Sequence, residues 1–227
     1  MKLNVCAALL GAGLLFVAAS MVQAADEWSE GRNYFVVRPA QPTGLPAGKV
    51  AVTEVFSYVC PACNKFVATA DKIRQSLPAN AELDFLPAAF NPAEDWPMLQ
   101  RAFCAAQLLG LVQKTHNAIF DAVWKSGELA TIDMTSGRIK SPAPTIEDAA
   151  RVYNHLAGVS VADFLAKANS FTVDTKMRQD DALIMSYMVD RTPTIIVNGK
   201  YRLTVDSAGG PDKLVELVKW LVAKESK

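Results

Sequence analysis

Cysteine and histidine are scarce in this sequence, and neither sign of charge is in excess. Four Cys and two His stand among 227 residues, and 23 Lys plus Arg are matched by 23 Asp plus Glu. That balance leaves no surplus cation to neutralise a phosphate backbone, which argues against nucleic acid as a partner. So few cysteines exclude a scaffold held together by disulfides. A zinc site built on Cys60 and Cys63 would need two more ligands, and His116 and His155 are not at ligand spacing from each other. No internal repeat or low-complexity tract breaks the chain after its first segment. What is present, 51% apolar and 20% charged residues, suits one or two compact units with an ordinary core.

The first segment differs from the rest. Met1-Lys2 gives a short positive start, Val5 to Val22 is apolar, and Val22-Gln23-Ala24 ends the run with small residues. This is the pattern of an export signal cut after Ala24. The competing reading is a retained membrane anchor, because the run is close to the shortest length, about 17 residues, that spans a bilayer. Cleavage would take Cys6 away and leave Cys60, Cys63 and Cys104 in an oxidising compartment. An odd count there permits at most one pair and one leftover thiol.

Lys49 to Cys60 is almost continuously apolar and rich in β-branched and aromatic residues, which predicts a central strand buried on both faces. A shorter strand is expected at Tyr34 to Val37. After Cys60, the positions Phe66, Ala70, Ile73 and Leu77 recur at helical spacing until Pro78, and Leu83 to Leu86 again reads as strand. Strand, helix, strand is a parallel crossover unit, with the cysteines at the first strand–helix junction. From Asp95 to about Val189 the periodicity is helical, with starts at Thr145 and Ser160 signalled by acidic capping boxes, a stop at Gly158, and an exposed loop over Thr135 to Thr145. Thr194 to Val197 and Tyr201 to Val205 flank Asn198-Gly199, a strong hairpin signal. Gly209-Gly210-Pro211 opens a last helix with Leu214, Leu217, Val218 and Leu221 inward.

Chemistry concentrates at Cys60-Pro61-Ala62-Cys63. Two cysteines three apart at a helix start can close a small disulfide ring, and the first sulfur then faces backbone N–H groups that lack helical partners. Those donors and the helix dipole favour a thiolate at Cys60, which makes it a nucleophile and a good leaving group. Cys63, one turn deeper, is the expected resolving sulfur. A zinc half-site and a purely structural disulfide are the bland readings of the same spacing. Cys104 reads as a small core residue, against the alternative of a reactive third thiol. His116 and His155 read as surface or cap residues, and Trp96, Trp124 and the Met188 region as core packing.

The strand ending Phe-Ser-Tyr-Val-Cys-Pro-Ala-Cys, the helical block, and Arg191-Thr192-Pro193-Thr194 before Asn-Gly-Lys-Tyr together resemble the DsbA family of periplasmic disulfide oxidases, from about Tyr34 to Lys224. The resemblance implies an α/β thioredoxin-like fold carrying an inserted all-helical domain. The expected division is 1–24 signal, 25–92 first thioredoxin part, 93–175 helical insert, and 176–227 second thioredoxin part. It also implies that Pro193 is a cis-proline packed on the active disulfide, where the bland alternative is a trans proline opening a strand. Thr192 would contact substrate, with Pro61 and Ala62 beside it.

Glu54, six residues before Cys60, matches a buried acid that assists proton movement in the family; the alternative is an edge position where it merely meets water. Two departures stand out. No lysine lies in Leu83 to Ala89, where relatives often have one, and Ala62 replaces the histidine of the best-known members, which predicts a weaker oxidant. The implied activity is donation of the Cys60–Cys63 disulfide to newly exported proteins, by a monomer without a bound cofactor or metal. A DsbB-type membrane quinone-linked oxidase would restore the disulfide. The rival activities are a reductase or isomerase kept reduced by a partner, and a chaperone or binding module whose cysteines are incidental.

Overall fold

The computed structural model describes residues 28–226, so the expected signal segment and Cys6 lie outside the described residues. Five strands form one mixed sheet. They are β1 (Phe35–Val36), β2 (Val50–Phe56), β3 (Ala81–Pro87), β4 (Thr194–Val197) and β5 (Tyr201–Leu203), in the order β1-β5-β4-β2-β3. β2 pairs parallel to β3 and antiparallel to β4, so the strand that leads into the cysteine motif is internal to the sheet.

β2 reads as a nearly unbroken apolar run because both of its faces are covered. Val52 and Phe56 point into a large core with Phe66, Ile73, Leu217 and Leu221, contributed by α1 (Pro61–Ser76) and the last helix, α8 (Pro211–Glu225). Val55 points the other way, onto Ile184 and Tyr187 at the end of α6 (Phe171–Ser186). Each large side chain buried in this way contributes about 1.5–3 kcal/mol.

Between β3 and β4 lie α2 (Trp96–Leu108), α3 (Val112–Trp124), α4 (Ile146–Ala157), α5 (Val161–Ala168) and α6, preceded by a 3₁₀ turn at Pro92–Glu94. The expected boundary after residue 175 falls within α6. Thr145 closes a full capping box with Asp148, and Gly158 ends α4 in the left-handed conformation, as its position requires. At α5 only half of the box forms: Ser160 accepts from the Asp163 N–H, while the Asp163 carboxylate bonds the Ser160 hydroxyl instead of its backbone. The hairpin turns on Asn198 and Gly199, both at positive φ. β5 stops at Leu203, two residues short of expectation, because the Thr204 hydroxyl caps a short helix, α7 (Val205–Ala208).

Two expectations about side chains are overturned. His116 is a core residue, 5% exposed, because it shares the inward stripe of α3 with Val112, Ile119 and Phe120. Met188 is half exposed, since the chain leaves α6 through a left-handed residue at this point and turns the side chain outward. Trp96 is buried as expected, Trp124 is half-buried, and His155 is exposed.

Candidate active site: a dithiol at a helix start

β2 ends at Phe56, and the chain turns through Ser57-Tyr58-Val59 before α1 begins. The turn is held by the Cys60 N–H on the Ser57 carbonyl (3.2 Å) and by the Val59 N–H on the Ser57 hydroxyl (3.3 Å). It is tied to the helical block by the Trp124 indole N–H on the Tyr58 carbonyl at 2.7 Å. Cys60 occupies the N-cap of α1 with extended backbone, and its Sγ accepts from the Cys63 N–H at 3.4 Å. A thiolate thus takes the place that a serine or aspartate oxygen usually fills. Pro61 follows at the first helical position, where its missing N–H costs nothing. Pro61 and Ala62 are exposed, while Cys60 is 6% exposed and Cys63 fully buried.

The two sulfurs differ sharply in proton affinity. The Cys60 thiol is pulled down to about 6, chiefly by the Cys63 side chain as hydrogen-bond donor, with further help from Thr192 and the backbone N–H groups of Cys63 and Ala62; burial opposes this and loses. Burial pushes the Cys63 thiol well above its ordinary value, and the Cys60 charge beside it adds to the rise. Both are free thiols in this structure.

The Thr192–Pro193 peptide is cis, and the Thr192 carbonyl lies 3.4 Å from Cys60 Sγ. Beside it opens a cavity of about 370 Å³ lined by Ala62, Lys65, Phe66, Arg191, Thr192 and Pro193, among others. Lys65 and Phe66 are on the first turns of α1 beside the cysteines, and their contribution to this wall depends on Pro193 closing the other side, a contact no local pattern announces. Glu54 is 2% exposed, so the reading in which it meets water at an edge does not hold. Burial pushes its carboxyl up to about 8, with the Arg74 guanidinium pulling the other way and the charges of Cys60 and Asp71 adding to the rise.

The third thiol is elsewhere. Cys104 is buried in α2 with its Sγ 3.5 Å from the Asp180 carboxylate, which together with burial keeps it protonated. His116 stacks on Phe85 at 3.8 Å between ring centroids, its Nδ1 lies 3.0 Å from the Tyr58 hydroxyl, and burial pushes it down to about 3, so it is neutral. Among the described residues, no group of three or more His, Cys, Asp or Glu is placed to hold a metal ion.

An acidified thiol capping a helix, with a protonated partner one turn deeper, on this mixed sheet, is the chemistry of the thioredoxin-fold thiol–disulfide oxidoreductases. The comparisons with known proteins agree. A family model described as thioredoxin matches residues 40–219. The thiol:disulfide interchange protein DsbA of Pseudomonas aeruginosa is 32% identical, covering 99% of this chain and 97% of its own length, and that of Pseudomonas syringae pv. tomato is 33% identical over 99% and 95%. The crystal structure of Pseudomonas aeruginosa DsbA, at 33% identity, covers 88% of this chain and 96% of its own with a TM-score of 0.73. The oxidoreductase DsbA from Xylella fastidiosa, at 27% identity, covers 86% and 96% with the same score. The chain belongs to the DsbA family of thiol:disulfide interchange proteins.

Proposed function

We propose that this protein works in the periplasm after loss of residues 1–24, donating the Cys60–Cys63 disulfide to newly exported proteins. The observation that carries the reading is the split between the sulfurs: Cys60 at about 6 and Cys63 held well above its ordinary value. In the first step a client thiolate attacks Cys60 Sγ, forming a mixed disulfide and breaking the Cys60–Cys63 bond. Cys63 leaves as a thiolate that its buried setting disfavours, so it must take a proton. Glu54, with a carboxyl at about 8, is protonated near neutral pH and serves as the donor; in the reverse direction its carboxylate is the acceptor.

In the second step another client thiolate attacks the client sulfur joined to Cys60. A client disulfide forms, Cys60 departs as a thiolate, and two electrons have passed to this protein. At pH 7 a group at about 6 is roughly nine-tenths ionised, so this departure needs no proton. Stabilising the reduced product in this way makes the disulfide more oxidising.

Pro193 and the Thr192 backbone, with Pro61 and Ala62, form the surface on which the client backbone is held beside Cys60. The reaction runs through the cysteine pair and invokes no bound cofactor. A monomer suffices for it, with the thioredoxin part divided by a helical insert between β3 and β4. A DsbB-type membrane quinone-linked oxidase re-forms the disulfide.

Two variants and one state measurement test this reading. Cys63→Ala should accumulate client proteins joined to Cys60, and Cys60→Ala should lose peptide oxidation entirely; retention of oxidation by Cys60→Ala rejects the mechanism. Alkylation in cells should find the pair mostly oxidised, whereas a mostly reduced pair indicates a reductase or isomerase.

A further inference from the structure

Glu54 has an unusual setting for a group that must gain and lose a proton. Its neighbours across the sheet, Phe85 on β3 and Ile195 on β4, are apolar, and so are Leu214, Leu217, Val218, Leu221 and Val222, the buried residues of α8. The titratable groups around it are Tyr58 in the turn, Cys60, Cys63, Asp71 and Arg74 on α1, and His116 on α3. Tyr58 and His116 are neutral, for burial raises the first and lowers the second. Among the described residues, Arg74 is therefore the one permanent cation in this group.

The geometry of Arg74 fits that position. It stands near the end of α1, and side chains of a helix lean toward its N-terminus, here the end that carries the cysteines. Its guanidinium lies over the Phe85 ring, 5.5 Å from the centroid, and Phe85 is the residue opposite Glu54 in the β2–β3 register. Its Nε is buried without a hydrogen-bond partner, while one terminal nitrogen reaches outward to Asp71 Oδ1 at 2.8 Å. Asp71 in turn accepts from Asn117 of α3 at 3.1 Å. The guanidinium thus has its Nε in the sheet interior and its ion pair with Asp71 toward the surface, both side chains being about a third exposed, with no direct ion pair to Glu54.

We propose that Arg74 is a positioning residue of the active site: its guanidinium, over Phe85 on the side of the sheet that carries Glu54 and tied to Asp71, is the cation that acts on Glu54 as it exchanges its proton. Asp71 opposes it, by drawing the guanidinium outward and by adding its own negative charge. The proposal rests on the reading of Glu54 as the proton donor to Cys63, and it predicts opposite effects for the two ends of the Arg74–Asp71 pair.

The test measures the Glu54 midpoint by carboxyl carbon NMR of the reduced full chain, together with the pH profile for reduction of the Cys60–Cys63 disulfide by a client dithiol. Arg74→Gln should raise the Glu54 midpoint by about one pH unit, a tenfold rise in proton affinity, and Arg74→Lys should restore most of it. Asp71→Asn should move the midpoint down, which a merely structural role would not do, and it remains informative if Arg74→Gln folds poorly. A midpoint unmoved in a folded Arg74→Gln protein, or moved in the same direction by both substitutions, overturns the proposal. Glu54→Gln separates the two readings: an unchanged pH profile in that variant removes Glu54 from the proton path, while the NMR midpoints still report whether Arg74 acts on it.

Discussion

Keeping a carboxyl beneath the active site should destabilise the protein, and the amount depends on pH in a way that can be worked out. The Glu54 carboxyl titrates at 4.5 when exposed and at about 8 in the fold. The folded state therefore holds its proton where the unfolded state has lost it, and stability falls as pH rises from 4.5 toward 8, by about 1.4 kcal/mol per unit. The accumulated penalty is about 3 kcal/mol at pH 7, a large share of a normal domain's stability. Glu54→Gln keeps the shape and polarity of the protonated side chain and cannot ionise. The variant should match the wild type near pH 4 and exceed it by about 3 kcal/mol near pH 7.

The assay is urea unfolding of both proteins in the oxidised form, where the Cys60 charge no longer adds to the Glu54 shift, so about 3 kcal/mol is the upper value of the difference. His116, pushed down to about 3, contributes a slope of the opposite sign, because its neutral buried form gains stability as pH rises toward 6.5. That slope is common to both proteins and cancels in their difference. Two stability curves that run parallel across this range would refute the reasoning, since the difference isolates Glu54.

Other consequences follow from the same geometry. Ala62 is exposed on the first turn of α1, so Ala62→His adds a donor beside Cys60; each unit taken off the Cys60 pKa should make the disulfide more oxidising by about 30 mV in glutathione equilibration, and an unchanged potential rejects this. Cys104→Ala should leave disulfide donation intact, and in the native protein Cys104 should resist alkylation until unfolding, because it is buried against Asp180; rapid native labelling contradicts this. His116→Phe keeps a ring on Phe85 but removes the imidazole partner of the buried Tyr58 hydroxyl, so it should cost about 1–3 kcal/mol in urea unfolding without altering the pH profile of exchange near neutrality.

Much of this molecule is legible from one sequence where local chemistry and tertiary context agree. The run from Val50 to Phe56 needs cover on both faces, and the hairpin at Asn198-Gly199 needs two positive φ angles, so both are announced by residue type. Cys60 as a helix cap follows from its spacing to Cys63, with Pro61 beside it. The legible part ends where function depends on which elements meet. His116 looks like any polar residue on a helix, and its burial is decided by Phe85 and Tyr58, which arrive from a strand and a turn. Arg74 follows Ile73 at the edge of the inward stripe of α1, a faint local signal, but only the sheet register places it over Phe85 and therefore near Glu54. β5 gives way to α7 because the Thr204 hydroxyl competes successfully for the backbone, a contest that β-propensity alone does not resolve.

The central claim is that Cys60 is held as an anion by the start of α1 while Cys63 is not. Thiolate absorbance of the reduced, purified protein, followed against pH, measures it directly. One ionisation near 6 that disappears in Cys60→Ala, with no second thiol ionising below 9, is the expected result. A first ionisation at the ordinary cysteine value would contradict the account.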